Sequence, residues 1–211
     1  AMIHARGIVL PDRCLAYLEN APRTASGRAP QVSTKIIASA ALSLKAAADT
    51  AQARGVKPWI LSDAIEGEAR DVAQVHGAIA LHAAKSGTPF AAPFVMLSGG
   101  ETTVTLRHKG RGGRNSEFQL SLAIAVDGQA GISALAADTD GIDGSEDNAG
   151  AFVDGNTASR MRDAGINPVA FLGQNDAYSA FEATDDLFVT GPTGTNVNDF
   201  RALLIGDLPK G

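Results

Sequence analysis

The chain has 211 residues, 45% of them hydrophobic and 19% charged, enough for one large or two small compact domains with buried cores. With 18 Lys+Arg against 23 Asp+Glu the formal net charge is −5, so no global positive field would gather nucleic acid or an anionic membrane, and any phosphate site must be local. The single cysteine, Cys14, excludes an internal disulfide and reads as a buried small apolar residue. The opening segment lacks the features of a secretory signal, and no stretch reaches the roughly 20 apolar residues of a membrane span, so a cytoplasmic protein is expected.

Cys14 to Glu19 is compatible with a helix, and Ala21 to Pro30, rich in Pro, Ser, Gly and Arg, reads as a linker. Lys35 to Ser39 reads as a short strand, followed by an alanine-rich helix over 40–53 that stops before Gly55. Trp59 to Ser62 repeats the strand pattern, and Glu68 to Lys85 carries Val72, Val75, Ile79 and Leu81 at near-helical spacing. Pro93 to Leu97 is a third strand, leading into Ser98-Gly-Gly-Glu-Thr, and Val104 to Arg107 extends or pairs with the sheet. Beyond the polar loop 108–115, Ser116 to Val126 is helical and Ile132 to Ala137 is a strand. Helices over 156–164 and 178–183 and strands over 187–190 and 201–205 complete the pattern. The strand-helix alternation predicts an α/β fold: a mixed, largely parallel sheet with helices on both faces, in three layers.

Ligands of an open α/β sheet sit beyond the carboxyl ends of its strands, and three polar turns follow predicted strands directly. They are Ser98 to Thr102, Ala137 to Asp143 and Thr190 to Asn196. Gly99 and Gly100, beside Glu101 and Thr102, could bring backbone N–H groups close to phosphate oxygens, although an ordinary tight turn is the readier explanation. Neither glycine turn carries the lysine of a P-loop. Loop 109–115 places three cations just before a helix N-terminus, where an anion is favoured. Arg114, beside Asn115, can hold phosphoryl or carboxylate oxygens bidentately; a solvated surface loop is the alternative. Asp138, Asp140 and Asp143 are acidic enough for magnesium, and turn-forming or capping aspartates are the alternative. Asp140, followed by Gly141, reads as a base or a metal contact. His76 and His82 fall on a predicted helix as structural or exposed residues, and Asp63, Glu66 and Glu68 could line the same sheet edge, although capping of that helix explains them adequately.

Four segments in order, Leu61 to Ala73, Leu97 to Val104, Gly112 to Asn115 and Ala137 to Gly144, resemble the class II glycerate kinase family, and the part from about Pro93 onward resembles its carboxy-terminal MOFRL domain. The resemblance implies residues 1–90 as the remainder of an upstream kinase domain and 91–211 as the MOFRL domain. It implies ATP-dependent phosphorylation of D-glycerate, to 2-phosphoglycerate, with Mg2+. Arg114 and Asp140 match the family's catalytic positions. Gly99, Gly100, Glu101, Thr102 and Asn115 would bind substrate or nucleotide, and Asp138 and Asp143 would bind metal. Such proteins have also carried the name hydroxypyruvate reductase of tartrate degradation, but no G-x-G-x-x-G fingerprint is present. Family members are much longer and carry an upstream catalytic lysine and a Ser-Asp-Val-type motif that are not found here. The chain is therefore expected to be an incomplete enzyme that needs a missing amino-terminal domain or a second copy. A metabolite-binding module without catalysis is the alternative. Glycerate and a nucleotide are the expected partners; nucleic acid and membrane are not.

Overall fold

The computed structural model describes residues 2–21 and 32–207 in two compact units, 1–35 and 36–211. In the first unit, α1 (Met2–Ala5) precedes α2 (Asp12–Asn20), none of whose residues is buried. Cys14 is exposed there, contrary to the core role expected of it. Most of the expected linker lies outside the described residues.

The second unit holds one six-stranded sheet. Its elements are α3 (Ala40–Ala53), β1 (Lys57–Glu68), α4 (Ala69–Ser86), β2 (Phe94–Thr103), α5 (Arg114–Ala125), β3 (Ile132–Asp138), β4 (Gly150–Asp154), α6 (Thr157–Asp163), α7 (Pro168–Gly173), α8 (Ala177–Glu182), β5 (Leu187–Phe188) and β6 (Asp199–Ile205). The strand order is β1-β2-β6-β3-β4-β5. The sheet is mixed, and its parallel share is confined to β1 and β2, joined through α4; the other four pairings are antiparallel. The expectation of a largely parallel sheet therefore needs correction. The last strand, β6, inserts between β2 and β3 and runs against both, an outcome that the local order of strands and helices does not encode.

Alternation along the strands sorts the layers. On β2, Phe94 and Met96 belong to the main core with Phe118, Leu120 and Leu122 of α5, and Ser98 on the same side bonds His76 of α4. Val95 and Leu97 turn to the other face, where with Phe200 and Ala202 they meet Ala47 and Ala51 of α3. Helices thus lie on both faces. The compact units divide at residue 35, and β1 is hydrogen-bonded to β2 from Lys57 to Glu68.

Several local expectations change. Lys35 to Ser39 is not a strand: Ile36 and Ile37 are exposed, and the Ser39 hydroxyl accepts from the Leu42 amide (3.2 Å) as the cap of α3. Val104 to Arg107 is irregular, while β4 and α7 were not anticipated. Ser98 to Thr102 is no turn, since β2 runs through it. Gly100, at φ +129°, lies against the backbone of Ile65, so a side chain there would collide with β1. Gly100 thus permits β1 and β2 to approach at an irregular stretch of β1, between Ser62 and Ile65.

Candidate functional site

Helix α5 begins at Arg114 and points its first turn at the carboxyl end of β3. The first amides of a helix have no partner within it. Two of them, those of Asn115 and Ser116, donate to Asp143 (2.9 and 2.7 Å), which also accepts from the Ser116 hydroxyl (2.6 Å). Asp143 is fully buried, and burial pushes its carboxyl pKa up against these hydrogen bonds. It acts as a tertiary cap. Gly113 has to be glycine because a Cβ there would run into Asp143.

The cap fixes where Arg114 begins, and two carboxylates fix where it ends. Its Nε donates to Asp199 (2.7 Å) and its Nη2 to Asp138 (2.6 Å); Nη1 makes no hydrogen bond among the described residues. Burial alone would lower the Arg114 pKa, but the hydrogen bond and charge of Asp199, together with the charges of Asp138 and Glu101, outweigh it and raise the pKa above its ordinary value. The side chain retains 25% exposure, on a cleft of about 690 Å³ lined by Glu66, Glu101, Thr102, Leu106, Gly112 and Arg114. Asp138, at the end of β3, is nearly buried. Desolvation raises its carboxyl pKa to about 6, against the Asp140 amide and Arg114, which favour the charged form.

The other expected residues divide between this cleft and its supports. Glu101 is exposed at the cleft, whereas Thr102 is buried with its amide and hydroxyl directed at Asp199 (3.2 and 3.3 Å). Gly99 and Gly100 are buried within β2 and are held there by strand packing: a Cβ on Gly99 would press on the Asp199 carbonyl. Asn115 is an interior strut, its Nδ2 donating to Asp199 (2.9 Å). Asp140 lies half-buried in the loop after β3. Its amide donates to Asp138 (3.1 Å), and its own carboxylate accepts from the Ile142 amide (2.9 Å) and from Asn196 (3.0 Å). The loop that carries Asn196 is packed on it, Thr193 donating through its amide to the Asp140 carbonyl (3.0 Å). Asp138 and Asp143 are engaged by different donors, Asp138 by Arg114 and the Asp140 amide and Asp143 by the first turn of α5. Among the described residues no group of three or more His, Cys, Asp or Glu is placed to hold a metal ion.

Other side chains take up structural work. Glu68 stands at the N-cap of α4 but directs its carboxylate to the amide and hydroxyl of Thr105 (2.9 and 3.0 Å). His76 donates from Nδ1 to the Val72 carbonyl (2.8 Å), so Nε2 accepts from the Ser98 hydroxyl (3.0 Å), and burial holds its pKa down.

Sequence reading missed the residue that joins this assembly. Asp199 is 2% exposed and accepts from Arg114 and Asn115 on one oxygen and from Thr102 and Arg201 on the other. Arg201, 0% exposed, donates to it at 2.6 Å. The signal was present, because Asp199 and Arg201 alternate with Phe200 and Ala202 and so share the inward face of Leu203 and Ile205. A charged pair on the apolar side of a strand has to serve something at its end.

The family model described as the MOFRL family matches residues 94–199. A protein of Agrobacterium vitis named "Putative hydroxypyruvate reductase" is 52% identical over 98% of this chain and 48% of its own length. The "Glycerate 2-kinase" of Pyrococcus horikoshii is 42% identical over 83% of this chain and 40% of its own. The crystal structure of a glycerate kinase from Thermotoga maritima superposes with a TM-score of 0.87 at 34% identity, covering 96% of this chain and 48% of that one. The chain thus spans about half the length of the relatives it matches.

Proposed function

Because this chain belongs to the MOFRL family, half of its length matching that family's model, we propose that it is part of an enzyme that phosphorylates D-glycerate with ATP, giving 2-phosphoglycerate. The observation that carries the reading is the clamped guanidinium of Arg114 at the cleft, in a chain whose relatives include proteins named glycerate kinases. Phosphoryl transfer needs positioned charge more than covalent chemistry. With Nε and Nη2 occupied, Arg114 offers Nη1 to phosphoryl oxygens and stabilises their charge as the bond to the leaving group lengthens.

Magnesium usually keeps several waters and takes one or two protein carboxylates beside the phosphates. Asp138 and Asp140 fit that minimal role, as carboxylates of neighbouring residues at the end of β3; Asp143, saturated by the amides of α5, does not. The ion would neutralise phosphate charge. Asp140, steadied by Asn196, is placed to orient the acceptor hydroxyl, and Glu101 and Thr102 line the cleft where substrate or nucleotide would lie.

The reductase name of the 52% identical relative is a second reading, since an arginine at a cleft also recognises a carboxylate. The two separate by experiment. Glycerate-dependent ATP consumption with magnesium should be measured on this chain and on Arg114→Ala, together with calorimetric binding of ATP and the fluorescence of reduced nicotinamide. Turnover lost in the variant supports the kinase reading and makes this half sufficient. Nucleotide binding without turnover, abolished in the variant, supports it with the catalytic set shared with another segment. A nicotinamide signal with no ATP binding overturns it.

A further inference from the structure

Arg201, a guanidinium with no exposure whose pKa burial lowers, uses its fork poorly. Only Nη2 is bonded, to Asp199 (2.6 Å) and the Thr102 hydroxyl (2.9 Å). Nε and Nη1 have no hydrogen-bond partner among the described residues, and the guanidinium stacks 5.1 Å from the ring centre of Phe118. A residue kept for structural hydrogen bonds would engage both edges of the fork. What Arg201 delivers is charge, at the back of a carboxylate whose other oxygen holds Arg114. Asp199 has donors from β2, α5 and β6, so its orientation is set from three elements. A guanidinium in a dry site fixes the geometry of the carboxylate it bonds.

We propose that Asp199 and Arg201 are positioning residues for Arg114: the buried Arg201 cation fixes the Asp199 carboxylate, and that carboxylate grips Arg114 Nε so that Nη1 faces the cleft. The grip on Arg114 stands on geometry alone; its use in holding phosphoryl oxygens rests on the kinase reading. Neither residue touches the substrate. The pair would also hold the cleft's arginine in place at the first turn of α5, directly after a glycine-rich loop, where an unheld guanidinium would lose affinity to its own rotamer freedom.

The test separates positioning from stability. Removing one member of a buried pair destabilises through the orphaned charge, whereas neutralising both restores much of the loss. Asp199→Asn, Arg201→Met and the double variant should be compared with the wild-type chain by 15N spectroscopy of arginine Nε–H groups, with Arg114 identified by its loss in Arg114→Lys. Arg70, whose Nε donates to Glu117 (2.8 Å), is the internal reference. In the double variant, thermal stability should return toward wild type while Arg114 Nε–H exchanges with water about tenfold faster than before and Arg70 is unchanged, because a neutral acceptor bonds roughly half as strongly as a carboxylate. Asp199→Glu should retain part of the protection. Binding of inorganic pyrophosphate, followed on the same Arg114 resonance, should weaken in parallel. A double variant that recovers both stability and Arg114 protection overturns the proposal. Lost protection with no pyrophosphate response even in the wild type leaves the positioning intact and removes the phosphate reading on which its purpose rests.

Discussion

Asp138, the carboxylate that holds Arg114 Nη2, has a pKa raised toward neutral pH. Burial raises its pKa from 3.8 to about 6 in the fold, so between about pH 4 and pH 6 the folded chain holds a proton that the unfolded chain has released. Stability therefore falls as pH rises through that window and levels off above it. The change is at most about 3 kcal/mol, because each unit is worth about 1.4 kcal/mol. Denaturant unfolding of the wild type and Asp138→Asn between pH 4.5 and 7 reads this directly. The wild type should lose stability relative to the variant as pH rises, and a constant difference, or one of opposite slope, would refute the assignment. Legibility at this scale was uneven. Arg114 could be chosen from the loop because a cation beside a helix entry has an evident use. Asp143 was open between ligand and cap, and only the position of α5 showed that its oxygens are occupied.

The element that deceived sequence reading most was β2. Ser98-Gly-Gly-Glu-Thr has the composition of a turn, yet it is strand, because glycine is needed wherever another backbone comes close as well as where a chain reverses. Gly100→Ala should cost on the order of 3 kcal/mol or more, combining strain at positive φ with a clash against Ile65. Circular dichroism melting measures the loss, and backbone amide shifts of 62–66 and 99–103 should show it centred on the β1–β2 junction. An alanine tolerated with no shift in melting would mean that the strands do not approach as described. Elements with a strong periodic signature fared better. Helix α3 was expected over 40–53 and occupies that range, and α4 differs from its expected bounds by one residue at each end. Their apolar spacing is local, whereas β4 is short and α7 is a brief helix set by its Asn167 cap.

At the scale of the whole molecule, every member of the main core cluster lies between Ala69 and Ile205, and all six strands fall within the second unit. That unit should fold without residues 1–35. Deleting them should leave a single cooperative transition and shift its midpoint by less than about 3 °C, since a change under 1 kcal/mol moves a domain of this size by a few degrees. A collapse of the transition, or a drop of tens of degrees, would show that the core is completed from outside this unit.

By itself the sequence determined the α/β class, the main helices, the family resemblance and the choice of Arg114 as a candidate, because amphipathic spacing, glycine punctuation and ordered motifs are written in neighbouring residues. The tertiary structure alone decided that β6 enters the centre of the sheet, and with it that Asp199 and Arg201 come to rest beneath Arg114. The reason is distance along the chain. Strand pairing brings Asp199 to an arginine 85 residues before it, and a contact of that span is chosen by the packing of the whole sheet, which no local window of sequence contains.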